Sequence, residues 1–319
     1  MQPISGPGSA NYEHDSVAFY DYAAEEDGFW LFEPNAPNPK ESNLIVFIHG
    51  YGGYNPMIYG QWIKHLVRKG NTVIYPRYQK TVFSPSPKKF SENVVTAIQD
   101  ALKIIEENKS HISVDTRSLC IVGHSYGGIL AAEITAYWEK YDIPKPQGIF
   151  VCAPGTGPFK AGKLDDYSIL PKDLNLLVMV NENDYIVGDE MGVKIFETAT
   201  HISNRNLIRQ KSDDDNDISA GHNETYCVDE TFDSGHHNYT AKKALRISET
   251  NAVDYFGYWK LFDALIDCSR EGRNCAFAFG NTTQQRSLGL ATDGSSSIKD
   301  LEIITPAPKQ LSAKTSLKK

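Results

Sequence analysis

The stretch Ser118-Leu-Cys-Ile-Val-Gly-His-Ser-Tyr-Gly-Gly128 decides how the rest of the chain is read. Residues 119–122 are a short apolar run of the kind that forms a buried strand, and residues 129–141 carry helical periodicity. Between them stands Gly-x-Ser-x-Gly with Ser125 at its centre, in the strand, sharp turn and helix order that gives this motif its meaning. A serine at the tip of so tight a turn takes a strained backbone conformation. Gly123 and Gly127 leave room where a Cβ would collide with the neighbouring strand and helix. The turn lifts the Ser125 hydroxyl clear of the sheet and sets it at the positive end of a helix. The plain alternative is a glycine-rich connection without chemistry. Glycines at both required positions, and a further one at Gly128, weigh against it.

Outward from this stretch, apolar runs alternate with helical patterns. Residues 44–48, 72–75, 148–152, 174–180 and 207–209 read as strands, the last of them as the final interior strand. Residues 57–69, 91–108, 190–199 and 251–268 read as helices, and Gly70 stops the first. Alternating segments at 17–22 and 28–32 predict an antiparallel hairpin leading into the sheet. This order predicts an α/β fold with a mostly parallel central sheet covered by helices on both faces. Active sites in such sheets gather at the carboxyl ends of the strands. Residues 1–15 are expected to form an extended arm, 16–304 one domain, and 305–319 a disordered basic tail.

Composition narrows the function. The chain has 319 residues and a formal net charge of −8, and its only basic cluster lies at the extreme C-terminus, which argues against a nucleic-acid partner. No apolar run approaches the ~20 residues that a membrane-crossing helix needs. No signal peptide is visible, so the protein is either cytoplasmic or has lost a leader; a secreted or periplasmic location is slightly favoured. Cys120 and Cys152 fall in core strands, Cys268 and Cys275 bracket a short polar loop that a disulfide would close, and Cys227 is left over. The acidic run 213–217 has Ile218 where a calcium loop needs glycine, so a solvated loop is expected. No metal and no cofactor is called for.

A serine hydroxyl is a poor nucleophile until a base takes its proton and a third group orients that base. In this strand order the acid and the histidine follow in turn, each after a strand. Asp184 lies in the turn-rich segment after the 174–180 strand, with Ile186 and Val187 to anchor the loop behind it and Glu182 as its rival. Small residues precede His236, which is therefore placed ahead of His237 as the base, with His222 nearby. The oxyanion needs two backbone donors, and the N–H groups of Tyr126 and Tyr51 are the natural pair. Tyr54 and His124 are expected to meet the substrate in an open cleft edged by Tyr51, Tyr54, Tyr126 and the 211–235 loop. Only about twenty residues separate the 148–152 and 174–180 strands, too few for a helical lid by ordinary domain anatomy.

Taken together, His49-Gly50 after a strand, Gly-His-Ser-Tyr-Gly-Gly at 123–128, Asp184 and His236 resemble the α/β-hydrolase superfamily over residues 40–240. Within it the chain is similar to serine esterases of the dienelactone-hydrolase and cutinase-like sort. The resemblance implies carboxylic-ester hydrolysis through an acyl-enzyme, on a small-molecule or polymeric ester. Dienelactone hydrolases carry cysteine where this chain has Ser125, so their substrate does not transfer. A serine peptidase or thioesterase on the same fold is the second reading, and a catalytically silent binding protein is the third.

Overall fold

The computed structural model describes residues 1–83, 85–291, 294 and 296–305. Its strands are β1 (Ser16–Tyr22), β2 (Phe29–Asn35), β3 (Glu41–Ile48), β4 (Asn71–Pro76), β5 (Ser113–His124), β6 (Gly148–Cys152), β7 (Asn175–Asn181), β8 (Arg205–Gln210) and β9 (Glu302–Ile304). They make one sheet in the order β1-β2-β4-β3-β5-β6-β7-β8-β9. The six strands from β4 to β8 in that order run parallel. The hairpin β1–β2 joins them antiparallel at one edge and β9 at the other. This is the mostly parallel α/β sheet that the apolar runs predict.

Because side chains alternate along a strand, the buried strands feed two cores at once. Ile45, Phe47, Val122 and Phe150 face one layer, built by α1 (Gly60–Arg68) and by α6 (Lys260–Glu271) with the π-helical turn before it, Val253–Trp259. Leu44, Val46, Ile121 and Val151 face the other, where α2 (Phe90–Glu107), α3 (Tyr126–Ala136) and α4 (Glu190–Thr198) pack. Ile129, Leu130, Ala131, Ala132 and Ile134 of α3 are all fully buried. A helix enclosed on every side in this way holds the turn before it rigidly.

The hairpin, the interior strands and the long helices lie where the periodicity puts them. The expected 57–69 helix is a short 3-10 turn, Pro56–Tyr59, followed by α1. The amphipathic helix at α5 (Tyr239–Ile247) and the three-residue β9 were not expected. Residues 153–174 contain neither helix nor strand, so no helical lid stands between β6 and β7. Residues 1–15 fold back rather than extend: the Gly8 N–H donates to Asp263 Oδ2 at 2.8 Å, and Ser9 is buried. The expected basic tail lies, apart from residue 305, outside the described residues. Cys268 and Cys275 are joined by a disulfide.

Candidate active site

Strand β5 ends at His124 and α3 begins at Tyr126, so Ser125 is the whole turn. Its backbone has φ 55° and ψ −119°, a conformation that costs a non-glycine residue of order 1–3 kcal/mol. Three hydrogen bonds hold it there: the Ser125 N–H donates to the Cys152 carbonyl at 2.8 Å, and the Ser125 carbonyl accepts from Gly128 at 3.0 Å and Gly155 at 3.2 Å. The glycines are sterically required. A Cβ on Gly127 would sit 2.1 Å from the Ile48 carbonyl oxygen, and one on Gly123 would sit 2.3 Å from that of Gly127.

The Ser125 hydroxyl donates to Nε2 of His222 at 2.9 Å, and Nδ1 of His222 donates to Asp184 Oδ2 at 2.7 Å. Asp184 follows β7, and its Oδ1 accepts the N–H groups of Ile186 at 2.9 Å and Val187 at 3.0 Å. Burial pushes the Asp184 carboxyl up, but the hydrogen bond and charge of His222 and those two N–H groups outweigh it, so the carboxyl lies below its ordinary value. It is therefore an anion at neutral pH, able to fix the imidazole tautomer and to stabilise an imidazolium.

The segment carrying His222 has no regular structure, yet its backbone is clamped residue by residue. The Ala220 carbonyl accepts from the Asn183 N–H at 2.9 Å, and the Gly221 carbonyl accepts from Asn181 Nδ2 at 2.6 Å. The Gly221 N–H donates to Glu224 Oε1 at 2.8 Å, and the His222 carbonyl accepts from Nε2 of His124 at 2.8 Å.

The loop after β3, His49-Gly-Tyr-Gly-Gly53, closes the other side of the serine. A Cβ on Gly50 would lie 3.2 Å from the Ser125 Cβ, so this backbone passes directly against Ser125. The Tyr51 N–H has no acceptor within the described protein, whereas the Gly52 N–H donates to Gln79 Oε1 at 2.8 Å. The Tyr126 N–H is the first of α3, and as a first-turn N–H it has no partner within the helix.

A family model described as the alpha/beta hydrolase fold matches residues 45–186, from β3 through the elbow to Asp184. Over that stretch the chain has the alpha/beta hydrolase fold, and the mostly parallel nine-stranded sheet agrees with it. A comparison with curated proteins found no match. Ser125 and Asp184 lie inside the matched region and His222 beyond it.

Several expectations are corrected by this geometry. His236 is not the histidine at the serine. Its Nδ1 lies 3.2 Å from the Ser234 hydroxyl, and its ring packs edge-on to Trp30 and Tyr54. His237 is exposed and pairs with Asp233 at 2.7 Å. Glu182 accepts the Ser212 N–H at 3.0 Å, away from either histidine. Tyr54 and His124 do not line the cleft for substrate. Tyr54 is buried between the His49 and His236 rings, and both ring nitrogens of His124 are bonded to protein. Behind Asp184 only Val187 is an anchor, against Gly155; Ile186 is 61% exposed. Asp213 is buried, accepting from Asn216 and from the Lys299 N–H, so the acidic run is anchored at its first residue rather than solvated throughout.

The local sequence offers His222 on the same terms as His236. Ala220-Gly221 precedes it just as Ser234-Gly235 precedes His236, and it lies closer to the end of β8. The rings of Tyr51 and Tyr126 both pack near Phe159, with centroids 5.3 and 6.2 Å away, so the 153–174 segment supplies one wall beside the serine.

Proposed function

We propose that this protein is a serine hydrolase that cleaves carboxylic esters through an acyl-enzyme. The observation that carries the reading is the line of hydrogen bonds from Ser125 through His222 to Asp184, at 2.9 and 2.7 Å, with the serine on a strained turn. Ser125 Oγ attacks the ester carbonyl carbon while His222 Nε2 takes its proton, and Asp184 balances the imidazolium. The N–H groups of Tyr51 and Tyr126 receive the oxyanion. Collapse breaks the bond to the alcohol oxygen, which leaves with the proton from His222. Water, deprotonated by the same nitrogen, then releases the acid and restores Ser125.

Features beside the site favour an ester with an apolar or aromatic acyl part. Phe83 is 93% exposed, Tyr185 90% and Tyr239 74%. Each is next in sequence to a residue that touches the serine's neighbours. Val82 accepts from the Tyr51 hydroxyl, Asp184 bonds His222, and Thr240 Oγ1 lies against Gly52. A small polar substrate gives no reason to leave such rings in water. An oxidising compartment is the proposed location, supported by the Cys268–Cys275 disulfide.

The test is labelling with a fluorophosphonate probe and peptide mapping, followed by a series of nitrophenyl esters of increasing acyl length. Label on the Ser125 peptide, absent in Ser125→Ala, with turnover of the esters, is expected. A folded wild type that neither labels nor turns over any ester overturns the proposal.

A further inference from the structure

A second chain of hydrogen bonds crosses the site beneath the first. The Gly50 N–H donates to the Tyr59 hydroxyl oxygen at 3.1 Å. The Tyr59 hydroxyl donates to His124 Nδ1 at 2.9 Å, and His124 Nε2–H donates to the His222 carbonyl at 2.8 Å. Each proton is used once, and the directions agree only with a neutral His124. Tyr59 and His124 are both buried, and Tyr226 stands edge-on to the two rings with centroids 5.6 and 5.7 Å away. The chain begins next to Tyr51, passes under Ser125 and ends on the backbone of the residue at the serine hydroxyl.

We propose that Tyr59 and His124 are positioning residues that hold the oxyanion loop and the base loop at a fixed separation on either side of Ser125. This rests on the hydrolase reading above. Neither loop lies in helix or strand at these points, and this line of side chains joins the Gly50 backbone to that of His222 directly. Neutrality matters as much as reach. The His124 and His222 rings lie 4.9 Å apart, and a charge on one would oppose the proton that the other must accept. Burial, and after it the neighbouring His222, push His124 down to about 3, so it stays uncharged through the cycle.

The experiment measures probe-labelling rate, ester kcat and KM, and urea midpoints for wild type, Tyr59→Phe, His124→Gln, His124→Phe and the double variant Tyr59→Phe/His124→Gln. Breaking the chain is expected to lower kcat on the order of 10- to 100-fold with KM nearly unchanged, as a small misplacement of reacting groups does. His124→Gln keeps an N–H for the His222 carbonyl and is expected to lose less than His124→Phe. The double variant is expected to resemble the worse single variant, because one chain is broken only once. Folded variants labelled as fast as wild type, or losses that simply multiply, overturn the proposal. The urea midpoints confine the comparison to folded proteins, and Tyr59→Phe and His124→Gln cut different bonds, so either alone decides it. A wild type that is never labelled at Ser125 overturns the hydrolase reading and this proposal with it.

Discussion

Ala220-Gly221-His222 and Ser234-Gly235-His236 are nearly the same tripeptide, fourteen residues apart by their numbers, and the fold uses them in opposite ways. Around His222 the backbone is tied to β7, to the loop after it and to His124, and both ring nitrogens point along one line from a hydroxyl to a carboxylate. Around His236 the ties run to Asn55, whose Nδ2 reaches the Asp233 carboxylate at 2.7 Å and the His236 carbonyl at 3.3 Å, and the ring fills an aromatic pocket. One histidine is held so that its nitrogens are available in register; the other is held so that its ring is packed. What separates chemistry from packing here is the set of distant residues that grip the segment, not the segment.

That contrast breaks most sharply at the two rings. Ser125→Ala and His222→Ala are each expected to lower ester turnover by about 10⁶-fold, as for removal of a nucleophile or its base. His236→Ala is expected to leave kcat close to wild type in ester assays; the reverse pattern would restore His236 as the base. A smaller effect is expected at the carboxylates. Asp184→Asn leaves the shape but holds the wrong tautomer, with a loss of about 10⁴-fold. Glu182→Gln removes only an exposed acceptor and is expected to change neither kcat nor KM.

Cutting the ties sharpens the comparison further. Asn181→Ala frees the Gly221 carbonyl and is expected to reduce kcat roughly tenfold, read in ester kinetics on protein of normal helical content. Asn55→Ala frees the Asp233 and His236 groups and is expected to lower stability by about 2 kcal/mol in urea titrations, with kcat unchanged. Equal kinetic effects from both would erase the distinction.

A further test is pH. The folded-state value of His124 is depressed to about 3 from an ordinary 6.5, so below 6.5 the unfolded chain takes up a proton that the folded protein refuses. Stability is therefore present above pH 6.5 and is lost as pH falls toward 3, by at most about 1.4 kcal/mol per pH unit from this group. His236 is depressed too, by burial and then by the Arg77 charge, and adds in the same direction. Urea midpoints between pH 7 and 4 are expected to flatten more in His124→Gln than in His236→Gln.

The sheet and the elbow were legible because their causes are local. A strained serine between glycines and continuous apolar strands are requirements that neighbouring residues must meet, and they met them. Asp184 was legible because it follows its strand directly. His222 was not, since Asn181, Asn183, Glu224 and His124, which select it over His236, lie far apart in the chain or on side chains with no periodicity. Tyr54 and His124 misled for a related reason. Proximity in sequence to a catalytic motif does not distinguish a ring at the cleft from one beneath it. The three residues of β9 carry too short a pattern to announce a strand.

That short strand has a consequence for how the molecule lives among its copies. Ile303 and Ile304 lie against Ile208 and Leu207, and Glu302 meets Lys211 at 3.2 Å, so the backbone row of β8 is occupied and its end is charged. A chain cut before residue 302 would present that row, with Leu207 on one face and Ile208 on the other, to any other open strand. The sheet would then be expected to grow by recruiting a second molecule, and the truncated protein to associate and precipitate before the hydrogen bonds from Ser125 to Asp184 are disturbed.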